Sequence, residues 1–205
     1  MNILAVTACL KRCSVAILHE GKLYEVDQIT SASANLVQLA NSLVTSSKID
    51  MKNIDGVITA SGPGSFTGIR VAQSFAKSIA LSLGIPSVSI DYFEVIDSVY
   101  TQKSADQQKN QQESKIIVIK TQKNHVYFRK NSEIGIDSYE NIAQSLTDTD
   151  VVIGDAVHEI SAYISSGKCT FEHIDDFCNA KHLLHFSYRL AADSVVCPLY
   201  INASN

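Results

Sequence analysis

Apolar and polar residues alternate in Cys13-Ser14-Val15-Ala16-Ile17-Leu18 and again in Leu23-Tyr24-Glu25-Val26, which is the period of a strand. With the apolar run before them, these stretches predict three successive strands over 2–7, 13–20 and 22–28, joined by short turns, one carrying Gly21. The period then changes to three and four. Leu36, Val37, Leu39, Ala40, Leu43 and Val44 give one side of a helix over 33–47, which Ser33 or Asn35 can start. At 100° per residue these six cover an arc of about 160°, wider than the stripe of a one-sided surface helix. The run Gly56–Ala60 reads as a buried strand. Ile69, Ala72, Phe75, Ala76, Ile79, Ala80 and Leu83 form a second helical face, Pro86–Ile90 another strand, and Tyr92–Tyr100 a short helix.

Thr101–Ser114 has almost no apolar residue and is expected to be an exposed loop or mobile linker. The pattern restarts with Ile116–Ile119, a turn over Thr121–Asn124, and His125–Arg129, as in a β-hairpin. Val151–Asp155 reads as a buried strand ending in Gly-Asp, 168–174 as a strand, and 181–191 as a helix. A strand meander followed by helix, strand, helix and strand implies a mixed sheet with helices packed on it, hence an α/β chain. The expected division is an N-terminal lobe over 1–100, a linker over 101–114, and a smaller C-terminal lobe over 115–205.

Between the Gly56–Ala60 strand and the second helix lies Ser61-Gly62-Pro63-Gly64-Ser65-Phe66-Thr67-Gly68-Ile69-Arg70. A strand-to-helix turn of this kind aims backbone N–H groups along a helix N-terminus, where an anion is favoured. A tight structural turn with Ser65 or Thr67 as N-cap fits the same residues. A Walker loop does not, because Thr67 stands where its second glycine belongs and no lysine follows until Lys77. The dinucleotide fingerprint breaks at Thr67 too.

Gly62-Pro63-Gly64-Ser65-Phe66-Thr67-Gly68-Ile69-Arg70, with Ala76-Lys77 and Gly84-Ile85-Pro86 behind it, resembles the TsaB (YeaZ) family. The resemblance is strong over 2–95, thin over 115–205, where Val126-Tyr127, Gly154-Asp155 and Pro198–Ile201 carry it, and absent between them. It implies an actin-like ATPase (ribonuclease H-like) fold of two lobes, each with a mixed sheet and packed helices. It further implies a non-catalytic subunit that pairs with a TsaD-type catalytic subunit, alongside a TsaE-type ATPase. That complex makes threonylcarbamoyladenosine next to the tRNA anticodon, so tRNA is met through the complex, and the subunit alone can form a homodimer. The family pairs through its first two helices, which here puts Leu36, Val37, Ala40, Asn41 and Val44 with Arg70, Gln73, Ser74 and Lys77 at the partner. Within the first helix, Leu36, Leu39 and Leu43 are expected to face the chain's own sheet and Val37, Ala40 and Val44 to form the adjoining edge. Gly62, Pro63, Gly64, Ser65, Thr67 and Gly68 become a structural turn or a degenerate nucleotide loop.

The chain departs from the family at chemically telling places. Active members of the superfamily hold metal and phosphate with an aspartate ending the first strand, and TsaB sequences commonly keep Asp-Thr-Ser there; this chain has Thr7-Ala8-Cys9. Ser31-Ala32-Ser33 replaces a His-Ser-Glu-like helix start, and the first helix lacks the histidine pair that marks TsaD. The alternative reading, an ATP-dependent phosphotransferase or ATPase of the same fold, loses its metal ligand at Thr7.

Charge sharpens the docking reading. No charged residue occurs from Gln28 to Ser47, and only Arg70 and Lys77 occur between Thr67 and Leu83. Surface helices ordinarily carry Lys and Glu, whereas interface cores are depleted of them; burial in the chain's own core fits as well. The formal net charge of −4 over 205 residues argues against a chain-wide grip on nucleic acid. Lys115, Lys120, Lys123, Arg129 and Lys130 nevertheless share residues 115–130 with no acid, so they either track RNA or simply solvate a hairpin. No apolar run is long enough to span a membrane, and Met1–Val6 lacks a signal-peptide flank, so a cytoplasmic location is expected. The five cysteines form no C-x-x-C pair and read as reduced thiols. His182 with His185, and His158-Glu159, lack the further ligands of a zinc site, and Gly64–Gly68 is no nucleophile elbow. No catalytic residue, metal or cofactor is expected.

Overall fold

The computed structural model describes residues 1–9, 12–29, 35–105, 114–121, 123–164, 169–174, 176–191, 196–199 and 201. Ser31-Ala32-Ser33, most of the expected linker, Lys168 and Tyr200 lie outside these. The chain divides into two units, Met1–Tyr92 with Cys178–Leu199, and Phe93–Phe177 with Tyr200–Asn205.

The first unit holds β1 (Ile3–Thr7), β2 (Arg12–His19), β3 (Lys22–Ile29), α1 (Leu36–Ser47), β4 (Gly56–Gly62), α2 (Phe66–Leu83) and β5 (Ser87–Asp91). Its sheet runs β3-β2-β1-β4-β5. β1 pairs antiparallel with β2, Ala5 opposite Ala16, and parallel with β4, Ala5 opposite Ile58. Strand alternation sends Leu4, Val6, Val15, Ile17 and Val57 to one face, where they pack with Leu36, Leu39, Ala40 and Leu43 of α1 and Ala72, Ala76 and Ala80 of α2. Small alanines on α2 let that helix lie close to the sheet.

Ile3, Ala5, Ala16 and Ile58 point the other way and are equally buried. What covers them comes from the far end of the chain: α6 (Ala180–Leu183) and a 3₁₀ stretch, Leu184–Ala191. Buried Ser14 fastens this cover, donating to Asn179 Oδ1 at 3.3 Å and accepting from Ala180 N–H at 3.0 Å. A strand buried on both faces reads as a continuous apolar run, which is why β1 shows no alternation. The expected C-terminal lobe over 115–205 is therefore corrected: Cys178–Leu199 belong with the first sheet. The helix expected over 181–191 is a short α-turn continuing as 3₁₀, with a kink at Phe186.

The second unit contains α3 (Tyr92–Ala105) after its first residue, β6 (Ser114–Lys120), β7 (His125–Lys130), β8 (Glu133–Ser138), α4 (Tyr139–Ser145), β9 (Asp150–Gly154), α5 (Val157–Ser161) and β10 (Thr170–His173). Its sheet runs β10-β9-β6-β7-β8, with β6 antiparallel to β7 and parallel to β9. Strand for strand this repeats the first unit, and the doubled order is that of the actin-like, ribonuclease H-like fold. Ile116, Val118, Val126, Ile142, Val152 and Ile160 form its core. α3 runs five residues past its expected end at Tyr100, because Gln and Lys extend an already nucleated helix at little cost. β8 was not expected. Its Gly135 breaks the strand pattern, and the Phe128 ring lies over the place a Cβ would occupy, 2.9 Å away.

Candidate partner-binding face and the glycine-rich turn

The turn from β4 into α2 is built as a structural joint. Ser65 caps α2, its Oγ accepting from Gly68 N–H at 3.3 Å, while its carbonyl accepts from Ile69 N–H at 2.9 Å. Thr67 sits exposed within the first helical turn and caps nothing. Gly62 and Pro63 are buried, Gly64 is half-buried, and the Ser61 carbonyl accepts from Leu199 N–H at 2.8 Å. Gly68 is the closest contact: a Cβ there would stand 1.9 Å from the Ala8 carbonyl oxygen. Only a residue without a side chain lets the start of α2 lie on the chain leaving β1.

At that end of β1, Thr7 is fully buried. Its hydroxyl is hydrogen-bonded to the Tyr92 phenol and accepts from Cys9 N–H at 3.4 Å. Burial pushes the Cys9 thiol up to about 11, with the bonds to Tyr92 and Thr7 pulling the other way. Burial, then the neighbouring Cys9 and Cys178, lift the Tyr92 phenol well above its ordinary value. The result is a neutral, interlocked cluster. Asp91, opposite Gly62 in the β4–β5 register, is a single carboxylate at the same sheet end. A divalent cation on phosphate needs several hard oxygen ligands, and this set does not fit one. Among the described residues no three of His, Cys, Asp or Glu come together in a way that could hold a metal.

The expected partner face divides in two. Val37 is 60% exposed, Asn41 is exposed, and Val44 half-buried; on α2, Arg70, Ser74 and Lys77 are exposed. Leu36, Ala40 and Gln73 point inward. Ala40 was expected on the outer edge, but it falls one turn from Leu36 and Leu43 and packs with them in the core against the sheet. Gln73 is buried beneath α2, its Nε2 donating to the Ala60 carbonyl at 3.4 Å. Two outward apolar residues escaped sequence reading. Phe66 is 55% exposed with the Arg70 guanidinium 3.8 Å over its ring, and Leu81 is 86% exposed. Both lie off the apolar face of α2, and that was the signal available.

The basic hairpin is not a bare cationic strip. Lys115 pairs with Asp97 at 2.7 Å, Lys120 with Glu159 at 2.8 Å, and Lys130 with Asp150 at 3.1 Å. Arg129 donates to the Phe93 carbonyl at 3.1 Å and lies over its ring. The acids come from α3, α5 and β9, far away in sequence. Burial raises the Asp150 carboxyl, but hydrogen bonds from Ser114 and Thr147 and the Lys130 ammonium overcome this and hold it below its ordinary value. A depressed carboxylate contributes stability above its unfolded pKa of about 4, and loses it as pH falls through the folded value. Lys130→Gln should therefore lower the stability of this unit at neutral pH by about 1–3 kcal/mol and flatten its decline toward acid. Urea melts at pH 7 and pH 3 check this; an unchanged midpoint at pH 7 would count against a structural role. The His158 and His173 rings lie tilted at 4.7 Å between centroids, and those of His182 and His185 lie at 6.4 Å.

The family model described as TsaD, tRNA N6-adenosine threonylcarbamoyltransferase, matches residues 29–199. A curated relative from Buchnera aphidicola, the tRNA threonylcarbamoyladenosine biosynthesis protein TsaB, is 28% identical over 130 residues, covering 62% of this chain and 56% of its own length. The protein of the same name from Haemophilus influenzae is 24% identical over 130 residues, covering 62% and 52%. The chain thus spans about half the length of the curated relatives it matches. The solved structure of YeaZ from Pseudomonas aeruginosa superimposes with a TM-score of 0.74 at 18% identity, over 98% of this chain and 99% of that one. At that identity the likeness concerns the fold.

Proposed function

The chain belongs to the tRNA N6-adenosine threonylcarbamoyltransferase (TsaD) family as a TsaB (YeaZ)-type member, and from this premise we propose that it is a non-catalytic subunit. It pairs with a TsaD-type catalytic subunit and supports N6-threonylcarbamoylation of the adenosine next to the tRNA anticodon. The observation that carries this reading is the outward side of α1 and α2. Val37, Asn41, Phe66, Arg70, Ser74, Lys77 and Leu81 are exposed on helices whose inward sides already close the core. A face that exposed, with few charges and none of them acidic, has the composition of a surface that a partner covers. Pairing there biases the catalytic subunit toward its active arrangement, as any partner that binds one conformer more tightly does. The TsaE-type ATPase and tRNA meet the chain through this assembly, in the cytoplasm. Among the described residues no helix is long and apolar enough to cross a membrane.

The direct experiment is co-purification with the TsaD-type subunit of the same organism, followed by measurement of threonylcarbamoyladenosine in tRNA after depletion. Failure to co-purify, with tRNA modification unchanged, refutes the proposal. The competing reading is an ATPase of the same fold, and the closed Thr7–Cys9–Tyr92 cluster argues against it. The purified chain should turn over no ATP above a buffer control in a phosphate-release assay, with or without Mg²⁺. Steady turnover abolished by a change at Gly64 or Thr67 would favour the ATPase.

A further inference from the structure

On β6, Ile116 and Val118 enter the second core, so Lys115 and Ile117 turn to the other side of the sheet, with Arg129 of β7 opposite Ile117. Together with Asn131 and Asp97 of α3 they line a cavity of about 240 Å³. All of these residues lie within one unit, Phe93–Phe177. The cavity is smaller than the roughly 300–1,000 Å³ of a drug-sized ligand's pocket, so it suits a small metabolite. Buried Ile117 gives it an apolar patch. An ion pair also lines it, Lys115 Nζ to Asp97 Oδ1 at 2.7 Å, both side chains partly open to solvent. The same ammonium lies over the Tyr100 ring at 5.2 Å, which steadies it from one side. Arg129 is tied to the Phe93 carbonyl at 3.1 Å and serves as wall.

We propose that this cavity binds a small α-amino acid as its zwitterion. Asp97 engages Lys115 through one oxygen, and a carboxylate can accept from a second cation at the other. An ammonium has three donors and can likewise serve a second carboxylate. A ligand that carries both charges one carbon apart therefore adds to the pair without breaking it. Its carboxylate accepts from Lys115 and its ammonium donates to Asp97. The four charges then alternate in sign around a ring, and each has a neighbour of opposite sign. A simple carboxylate or a simple amine forms only one of the two new ion pairs, and so binds more weakly. A small side chain finds apolar contact at Ile117 and an amide that donates and accepts at Asn131. The proposal is independent of the partner reading, whose residues all belong to the other unit.

The test is isothermal titration calorimetry of the full chain with L-alanine, L-serine and L-threonine, and with propionate and ethylamine, which carry one charge each. At least one of the amino acids should bind with a dissociation constant of about 1 mM or below, and both single-charge compounds about tenfold more weakly or worse. Asp97→Asn and Lys115→Gln, at partly exposed positions, should leave melting little changed and each weaken amino-acid binding by about tenfold or more. If none of the three amino acids saturates the chain, the proposal is overturned. Propionate binding as tightly as the best amino acid would make the cavity an anion site and overturn the zwitterion. Amino-acid binding that survives unchanged in both variants would lie elsewhere on the chain and overturn the assignment. Should either variant melt early, the contrast between amino acid and single-charge compound in the wild-type chain still decides.

Discussion

Val37→Arg, and independently Asn41→Arg, are expected to leave the isolated chain folded and to abolish pairing with the TsaD-type subunit. Val37 is 60% exposed and Asn41 exposed, so either new guanidinium keeps its water in the free chain. Pairing strips that water without supplying a carboxylate, at roughly 2–5 kcal/mol, or about 30- to several-thousand-fold in affinity. Threonylcarbamoyladenosine in tRNA should fall with it. Thermal melting reports on the free chain and size-exclusion chromatography on the pair. Co-elution of both variants at wild-type affinity would remove α1 from the interface. A large loss of melting temperature in either would instead make the outer side of α1 part of the chain's own packing, contrary to the exposure of Val37.

The second large effect is expected at Gly68. On propensity alone, Gly68→Ala should stabilise α2 by about 1 kcal/mol. The contact with Ala8 predicts the opposite sign. A Cβ placed 1.9 Å from the Ala8 carbonyl oxygen and 2.9 Å from its carbon meets backbone, which has no rotamer to escape into. The start of α2 would have to lift from the chain leaving β1, loosening the Ser65 cap and the packing of Ile69. The cost should be about 3 kcal/mol or more, with the melting temperature lowered by about 10 °C. Calorimetry decides it: a melting temperature at or above wild type would show that the close approach does not exist in solution.

The alternation in β2 and β3, the spacing of α1 and α2, and the Ser65 cap are all local facts, and sequence reading reached them. It failed wherever the answer depended on what the chain does far away. Ala40 sits between core and edge on the helical wheel, and only how α1 seats on the sheet decides its side. Lys115, Lys120 and Lys130 look unopposed across 115–130 because Asp97, Glu159 and Asp150 reach them from other elements. Thr7 was legible as a missing carboxylate. That Tyr92, eighty-five residues on, closes over its hydroxyl was not. Of the expected partner residues, Val37, Asn41, Arg70, Ser74 and Lys77 are exposed, while Leu36, Ala40 and Gln73 are apolar or hydrogen-bonded parts of the interior. The sequence pattern marks a wide, uncharged helix face; it does not divide that face between the chain itself and a partner.

The return of Cys178–Leu199 to the first sheet orders events on the ribosome. β1 to β5 are translated first, yet Ile3, Ala5, Ala16 and Ile58 have nothing to cover them until α6 and Leu184–Ala191 emerge. At about 5–20 residues per second that interval lasts several seconds, during which one side of a finished sheet stays greasy and bare. The strands of the second sheet, β6 to β10, all lie within Ser114–His173 and can pair in the meantime, so the sheet made first is the one covered last. A nascent chain stalled after β5 is a natural client for a chaperone that shields apolar sheet.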